Sequence, residues 1–282
     1  MQLEKFEMLE QAVSEADMVL VGLGEEWVLT EEAIRKDLEH KNKLLYEMYS
    51  VAIKDEAYRE TVPLLTAYYY KNFIPETLQE AYKNMLQMLE GKNYFVVSLS
   101  LDSFLKKCGF REDRCVNPCG TYEKIQCKEG CNREVESSEH ILGKMREIIT
   151  IDCGGQDEKR CLDKVLNLWN EYHCERCGVG ISFNLLDSKK YLEEGYLAQW
   201  QLYMKWLQGT LNKKLVVIEA GVGMKLPSVL RWPFEKTVYY NQKSKMFRIH
   251  KKYYQVNEEI ADRAYGCKCD SVHLFSEKKM EA

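Results

Sequence analysis

The sequence predicts an α/β fold: a parallel sheet crossed by helices, with a smaller cysteine-bearing module set into it. Three observations predict this. Residues 17–22, 93–98 and 214–219 are short, mostly apolar runs that lead into glycine or small polar residues. Unbroken apolar runs without alternation suit strands buried on both faces. Long stretches of helical period separate them. Two close cysteine pairs, Cys127-Lys-Glu-Gly-Cys131 and Cys174-Glu-Arg-Cys177, lie between the second and third runs.

Composition sets the bounds. The chain has 282 residues, 45% of them hydrophobic, enough for one large domain or a large and a small one. The net charge of −4 argues against nucleic acid as a main partner, because phosphate binding needs a basic surface. The eleven cysteines are clustered, not spread as a disulfide framework. The charged N-terminal stretch carries no apolar signal core, and no run reaches the roughly 20 apolar residues of a membrane span. The expectation is a soluble cytoplasmic protein in a reducing compartment.

In chain order, Leu3, Phe6, Leu9, Val13 and Ala16 recur at helical spacing over 2–16. The first strand, 17–22, ends at Gly22-Leu23-Gly24 and precedes a helix-prone stretch. Glycines there let backbone amides approach a pyrophosphate, although an ordinary strand-to-helix turn reads the same way. Glu25 and Glu26 oppose a phosphate beside those amides. Residues 42–90 read as helical throughout. The second strand, 93–98, leads into Ser98-Leu99-Ser100-Leu101-Asp102, placing Ser98, Ser100 and Asp102 at a strand's carboxyl end, where open α/β sheets bind ligands. Asp102 also reads as a cap for a short helix at 103–107.

Two helices are expected near 140–148 and 159–170. A long helix over 188–211 carries an aromatic stripe from Tyr191 to Trp206, read as core packing. The third strand leads into Ala220-Gly221-Val222. A strand at 245–249, a helix at 258–265 and a closing strand at 271–275 finish the chain.

Cys127, Cys131, Cys174 and Cys177 have the spacing of a tetrahedral zinc site, although 42 residues separate the pairs. Glycines at 130 and 178 let the backbone turn toward the sulfurs. Four thiolates leave no open position, so such a zinc is structural. The other reading is four reduced thiols.

Taken together, these motifs resemble the sirtuins, the NAD-dependent protein deacylases, over most of the chain and in the same order. Gly22-Leu23-Gly24 stands where that family carries Gly-Ala-Gly. Ser98 to Asp102 stands at its Thr-Gln-Asn-Ile-Asp, Cys119-Gly120-Thr121 at its His-Gly-Ser, and Ala220-Gly221-Val222 at its Gly-Thr-Ser. The family's Phe-Arg pair has no clear counterpart; Tyr58-Arg59 is nearest.

The resemblance implies a Rossmann-type NAD-binding domain (the sirtuin and deoxyhypusine synthase type) over 1–110 and 188–282, with 42–90 as a helical insertion. It implies a zinc-binding module over 111–187. NAD and zinc are the implied cofactors. Gly22, Leu23, Gly24, Ser98, Ser100, Asp102, Gly221 and Val222 would contact NAD. Asp102, Cys119 and Ser100 would stand at the catalytic positions. In the family the Asn assists at the ribose, the Asp holds the nicotinamide carboxamide and the His is the general base. Here Ser100 replaces the Asn and Cys119 the His, and a thiol's ordinary pKa of roughly 8.5 suits base work less well than imidazole's. The implied function is an NAD-dependent protein deacylase (deacetylase) or ADP-ribosyl transferase of weak or altered activity. Its partner would be an acylated or ADP-ribosylated protein. The alternative is an inactive NAD or ADP-ribose sensor or an interaction scaffold.

Overall fold

A computed structural model describes residues 2–153 and 157–277. The helices and strands are α1 (Gln2–Glu15), β1 (Met18–Leu23), α2 (Glu31–Lys41), α3 (Lys43–Ala52), α4 (Val62–Asn72), α5 (Glu76–Met88), β2 (Asn93–Ser98), α6 (Phe104–Lys107), β3 (Cys115–Val116) and β4 (Gly120–Cys127). They continue with β5 (Val135–Ser137), α7 (Glu139–Glu147), α8 (Glu158–Glu171), β6 (Ile181–Leu185), α9 (Leu197–Gln208), β7 (Leu215–Ala220), α10 (Arg231–Tyr240), β8 (Lys245–Ile249), β9 (Ala264–Cys267) and α11 (Ser271–Glu277).

Six strands form one parallel sheet in the order β3-β2-β1-β7-β8-β9. The central strands are mostly apolar because both faces are covered, with Ser98 of β2 and Glu219 of β7 as buried polar exceptions. Met18 and Leu20 of β1 face a layer with Tyr203 and Trp206 of α9 and Phe234 and Val238 of α10. Val19, Val21 and Leu23 face the opposite layer, with Phe6 and Leu9 of α1, Tyr82 and Met85 of α5 and Phe275 of α11. Of the expected aromatic stripe, Tyr203 and Trp206 are core, where Phe95 meets them at 5.3 and 5.8 Å between ring centroids, and Tyr196 and Trp200 pack partly buried beside them.

Around β4 a second, antiparallel sheet forms in the order β5-β4-β6. The helices expected over 42–90 divide between the two sheets. Those at 43–72 lean on the cysteine module, with Tyr58 donating to Asp163 at 3.0 Å, Lys71 paired with Glu139 at 2.7 Å and the Tyr70 ring 5.5 Å from Tyr122. Helix α5 stays with the large sheet, where Asn84 donates to the Phe275 carbonyl at 2.7 Å. On the other side of the expected boundary at 111, β3 is still part of the large sheet.

Several sequence expectations are corrected. Residues 271–275 are helical, not a strand. Their apolar alternation also fits a short helix that buries Ser271 and Phe275, four apart, and Phe275 packs on Phe6 at 5.5 Å. Residues 264–267 are a strand; the helical expectation over 258–265 shrinks to a 3-10 turn at Glu258–Ile260. The helix expected at 188–211 begins only at Leu197, after a turn at Glu193–Gly195. A Cβ on Gly195 would sit 1.9 Å from Asn184 Oδ1. Cys153 and Cys161 are joined sulfur to sulfur, which a wholly reduced set of thiols does not include. In the first helix, Phe6, Leu9, Val13 and Ala16 are buried as expected, and the Leu3 side chain lies outside the described residues.

Candidate functional site

The cysteine quartet assembles as its spacing predicts. The four sulfurs of Cys127, Cys131, Cys174 and Cys177 all lie within 4.8 Å of one another. The Cys127–Cys177 and Cys131–Cys174 separations are 3.5 and 3.4 Å. A tetrahedron with Zn–S bonds of about 2.3 Å spans about 3.8 Å between sulfurs, so the set fits zinc. Gly130 and Gly178 adopt positive φ (55° and 70°), which turns the chain at each pair. Burial pushes the Cys127 thiol up, but the amides of Cys131 and Glu129 and the Cys177 and Cys131 sulfurs hold it down at about 6, and the same neighbours push the Cys131 thiol up. His173 stays exposed, on the Glu171 carbonyl, and not among the sulfurs.

At the end of β2, Asp102 is 4% exposed. One carboxylate oxygen accepts from the Phe104 amide at 2.8 Å and starts the short α6. Its other oxygen, Oδ2, is buried with no partner among the described residues. Burial, opposed by the Phe104 amide, pushes this carboxyl up to about 7. Asp102 lines a cavity of about 610 Å³ with Tyr70, Leu101, Tyr122 and Leu142. Leu101, Tyr70 and Tyr122 also border a neighbouring cavity of about 630 Å³, whose rim carries Arg59 and Glu31. Those two are paired at 2.7 Å.

Ser98 and Ser100, both fully buried, are bonded to each other at 2.7 Å between hydroxyl oxygens. Asn117 donates to the Ser100 carbonyl at 2.8 Å. Sequence reasoning gave Asn117 no role, and nothing in its spacing marks it. Cys119 is 4% exposed, and burial pushes its thiol up to about 11. Near pH 7 only about 1 in 10⁴ such thiols is ionised, too few for a general base.

The glycine turn is organised differently. Gly22 lies under α10, where a Cβ would meet Phe234 at 2.7 Å, and Leu23 is fully buried. Gly24 faces the turn after β7: its amide donates to the Ala220 carbonyl at 2.9 Å, and a Cβ would be 2.3 Å from the Gly221 oxygen. Gly221 has φ 67° and no room for a side chain, since Glu26 and Ser271 would lie 2.5 and 2.8 Å from its Cβ. Val222 is buried in the core.

Between the turns after β1 and β7 the Glu25 carboxylate accepts from the amides of Gly223 (2.5 Å) and Lys225 (2.9 Å). The Glu26 carboxylate accepts from the Lys251 amide (3.1 Å), the Ser271 amide (2.8 Å) and the Ser271 hydroxyl (2.7 Å). His250 Nδ1 is 3.6 Å from Glu26. That nitrogen already accepts from the amides of Lys252 and Tyr253, and burial pushes the imidazole down, so it is neutral and no ion pair forms. The sequence contained the two glutamates and their repulsive charge. Their partners at 223–225, 251 and 271 are distant in the chain and carried no signal.

No protein-family profile matches the chain. It is 19% identical over 269 residues to a Protein ADP-ribosyltransferase of Staphylococcus aureus, covering 91% of this chain and 81% of that protein. It is 27% identical over 155 residues to a Probable bifunctional ADP-ribose hydrolase/ADP-ribosyltransferase of Fusarium oxysporum f. sp. cubense, spanning 52% of this chain and 24% of that one. Among solved structures it superposes on a Sir2 enzyme with a TM-score of 0.54 at 13% identity, covering 97% and 96% of the two chains. A Sir2 homologue in complex with NAD gives a TM-score of 0.52 at 14% identity, with 96% and 91% covered. The fold is the sirtuin fold.

That fold implies NAD, and the residues present fit it at one end only. Asp102 has a free, buried acceptor that suits a carboxamide N–H. At the turns where the pyrophosphate of a dinucleotide belongs in an α/β sheet, two carboxylates already hold the loop amides. A pyrophosphate does not fit there while both remain.

Proposed function

We propose that this protein is a sirtuin-fold ligand-binding protein that recognises a nicotinamide-type carboxamide through Asp102, and that lysine deacylation by the family's route is weak or absent in it. The unpartnered, buried Asp102 Oδ2 carries this reading. A buried acceptor without a partner costs free energy that a ligand N–H recovers. With its carboxyl near neutrality, Asp102 can accept from an amide NH₂ when ionised or donate to an amide C=O when protonated. Against deacylation stand the Cys119 thiol, too rarely ionised for general-base work, and Ser100, which is engaged with Ser98 and has no amide group. The four-cysteine site would hold zinc and brace the wall of β4 from which Tyr122 reaches the cavity.

A second reading, ADP-ribosyl transfer to a protein, is favoured by the names of the two relatives. The test is calorimetric titration of metal-loaded protein with nicotinamide and with NAD, following nicotinamide release in the same samples. Nicotinamide should bind, and Asp102→Ala should weaken it at least ten-fold. Rapid NAD-dependent nicotinamide release with a protein acceptor would move the assignment to the second reading. No binding of nicotinamide or NAD at millimolar concentration would refute the ligand-binding reading.

A further inference from the structure

We infer that Glu25 and Glu26 act as built-in competitors for a pyrophosphate, and so set which ligands the turns after β1 and β7 admit. The inference rests partly on the carboxamide reading of Asp102, which supplies the other end of the ligand. Its own basis is geometric. Backbone N–H groups converging on a crevice at the carboxyl ends of parallel strands are what a dinucleotide's phosphates use. Here those groups point at carboxylate oxygens of the same chain. Glu25 takes two of them, from Gly223 and Lys225. Glu26 takes the amides of Lys251 and Ser271 and the Ser271 hydroxyl, which in turn accepts from the Trp27 indole at 3.1 Å.

The glycines complete the fit. Gly221 has space for neither a side chain nor a second group, because Glu26 is packed against it. Gly223 lies likewise against Glu25, where a Cβ would be only 3.0 Å from the carboxylate. The nearby imidazole of His250 is neutral by its hydrogen bonds, so it does not neutralise Glu26. A pyrophosphate would have to displace Glu25 from its two amides and then lie beside an anionic Glu26. A ligand with the carboxamide but no phosphate meets neither obstacle. The pair thus discriminates by phosphate charge: nicotinamide and its nucleoside are admitted, while ADP-ribose and NAD are held to low affinity.

The experiment measures ADP-ribose and nicotinamide affinities for the unaltered protein and for Glu25→Gln, Glu26→Gln and the double variant. Glutamine keeps an acceptor oxygen for an amide while removing the charge. ADP-ribose should bind at least ten-fold tighter to the double variant, with nicotinamide unchanged. Equal or weaker ADP-ribose binding, or none in any variant, overturns the inference. Loss of nicotinamide binding in all proteins would refute the Asp102 reading alone. Should the variants not fold, amide chemical shifts in the unaltered protein decide: those of Gly223 and Lys225 should stay fixed on adding inorganic pyrophosphate to about 10-fold over protein, and movement overturns the inference.

Discussion

Two groups of carboxylates stand at the carboxyl ends of neighbouring strands, and they are opposites. After β1, Glu25 and Glu26 are saturated with donors from three distant loops. After β2, Asp102 has one donor and an orphan oxygen. Strand-end position alone therefore does not make a ligand site. What distinguishes the two is whether the protein has already supplied the partners. The saturated pair ties distant loops together, and the unsaturated carboxyl keeps an acceptor oxygen without a partner among the described residues.

The surroundings differ too. The glutamates are held entirely by the large sheet and its loops, whereas the Asp102 cavity is walled by the smaller lobe through Tyr122 and Leu142. Removing metal from the cysteine quartet should separate them most sharply. Chelation should destabilise the smaller lobe by on the order of 10 kcal/mol, since structural zinc contributes that much folding free energy. Nicotinamide binding should vanish while hydrogen exchange at Gly223 and Lys225 stays slow. If exchange at both accelerates together, the two regions are not independent.

A fully buried carboxylate elsewhere in the large sheet provides a reference. Glu219 is paired with Arg248 at 2.5 Å, and Arg248 also reaches Glu235 at 2.7 Å. Arg248→Met should cost about 3–5 kcal/mol in denaturant unfolding, because it strands a buried charge. A cost below about 1 kcal/mol would mean that a buried carboxylate here tolerates isolation, and that the Asp102 orphan carries no special meaning.

Asp102 itself has a pH signature. Burial raises its carboxyl to about 7 from the ordinary 3.8, so the folded state keeps a proton that the unfolded chain gives up across that interval. Stability should therefore fall as pH rises from about 4 to about 7, and level off above, by at most about 4 kcal/mol. Asp102→Asn should remove this dependence. The wild-type minus variant difference in unfolding free energy, measured at about pH 5 and about pH 8, checks it; equal differences at the two pH values would rule it out. The smallest effect belongs to Glu25→Gln, which should cost about 1–2 kcal/mol, because the one carboxamide oxygen keeps a single amide bond without its charge and the NH₂ loses the other. Its thermal midpoint, compared with that of Glu26→Gln, ranks the two glutamates.

Much of this fold was legible. The three buried strands appear within one residue of their expected places, because a mostly apolar run about six residues long, bounded by turn residues, is too short for a helix and too apolar for a loop. The cysteine quartet was legible by spacing. The last strand and helix were not. Gly266 lowers the strand signal of 264–267, yet the strand needs it, since a Cβ there would lie 2.2 Å from the Tyr254 carbonyl. The five residues at 271–275 are too few for their period to separate a strand from a helix turn. At the site, the chemistry of Asp102 was visible as a residue type, but its orphan oxygen was not. The glutamates were visible as charges beside the glycine turn, but not as partners of amides up to 245 positions away.

That distance has a consequence in time. Glu26 leaves the ribosome long before the Ser271 that completes its bonds. At synthesis rates of about 5–20 residues per second, the turn after β1 waits roughly 12–50 s for its other half. Until then its two carboxylates are open to water, because the amides they will hold have not yet been made. Each of those amides then emerges into a chain that already carries its carboxylate, so the order of synthesis favours the protein's own occupant over a small anion from the cell.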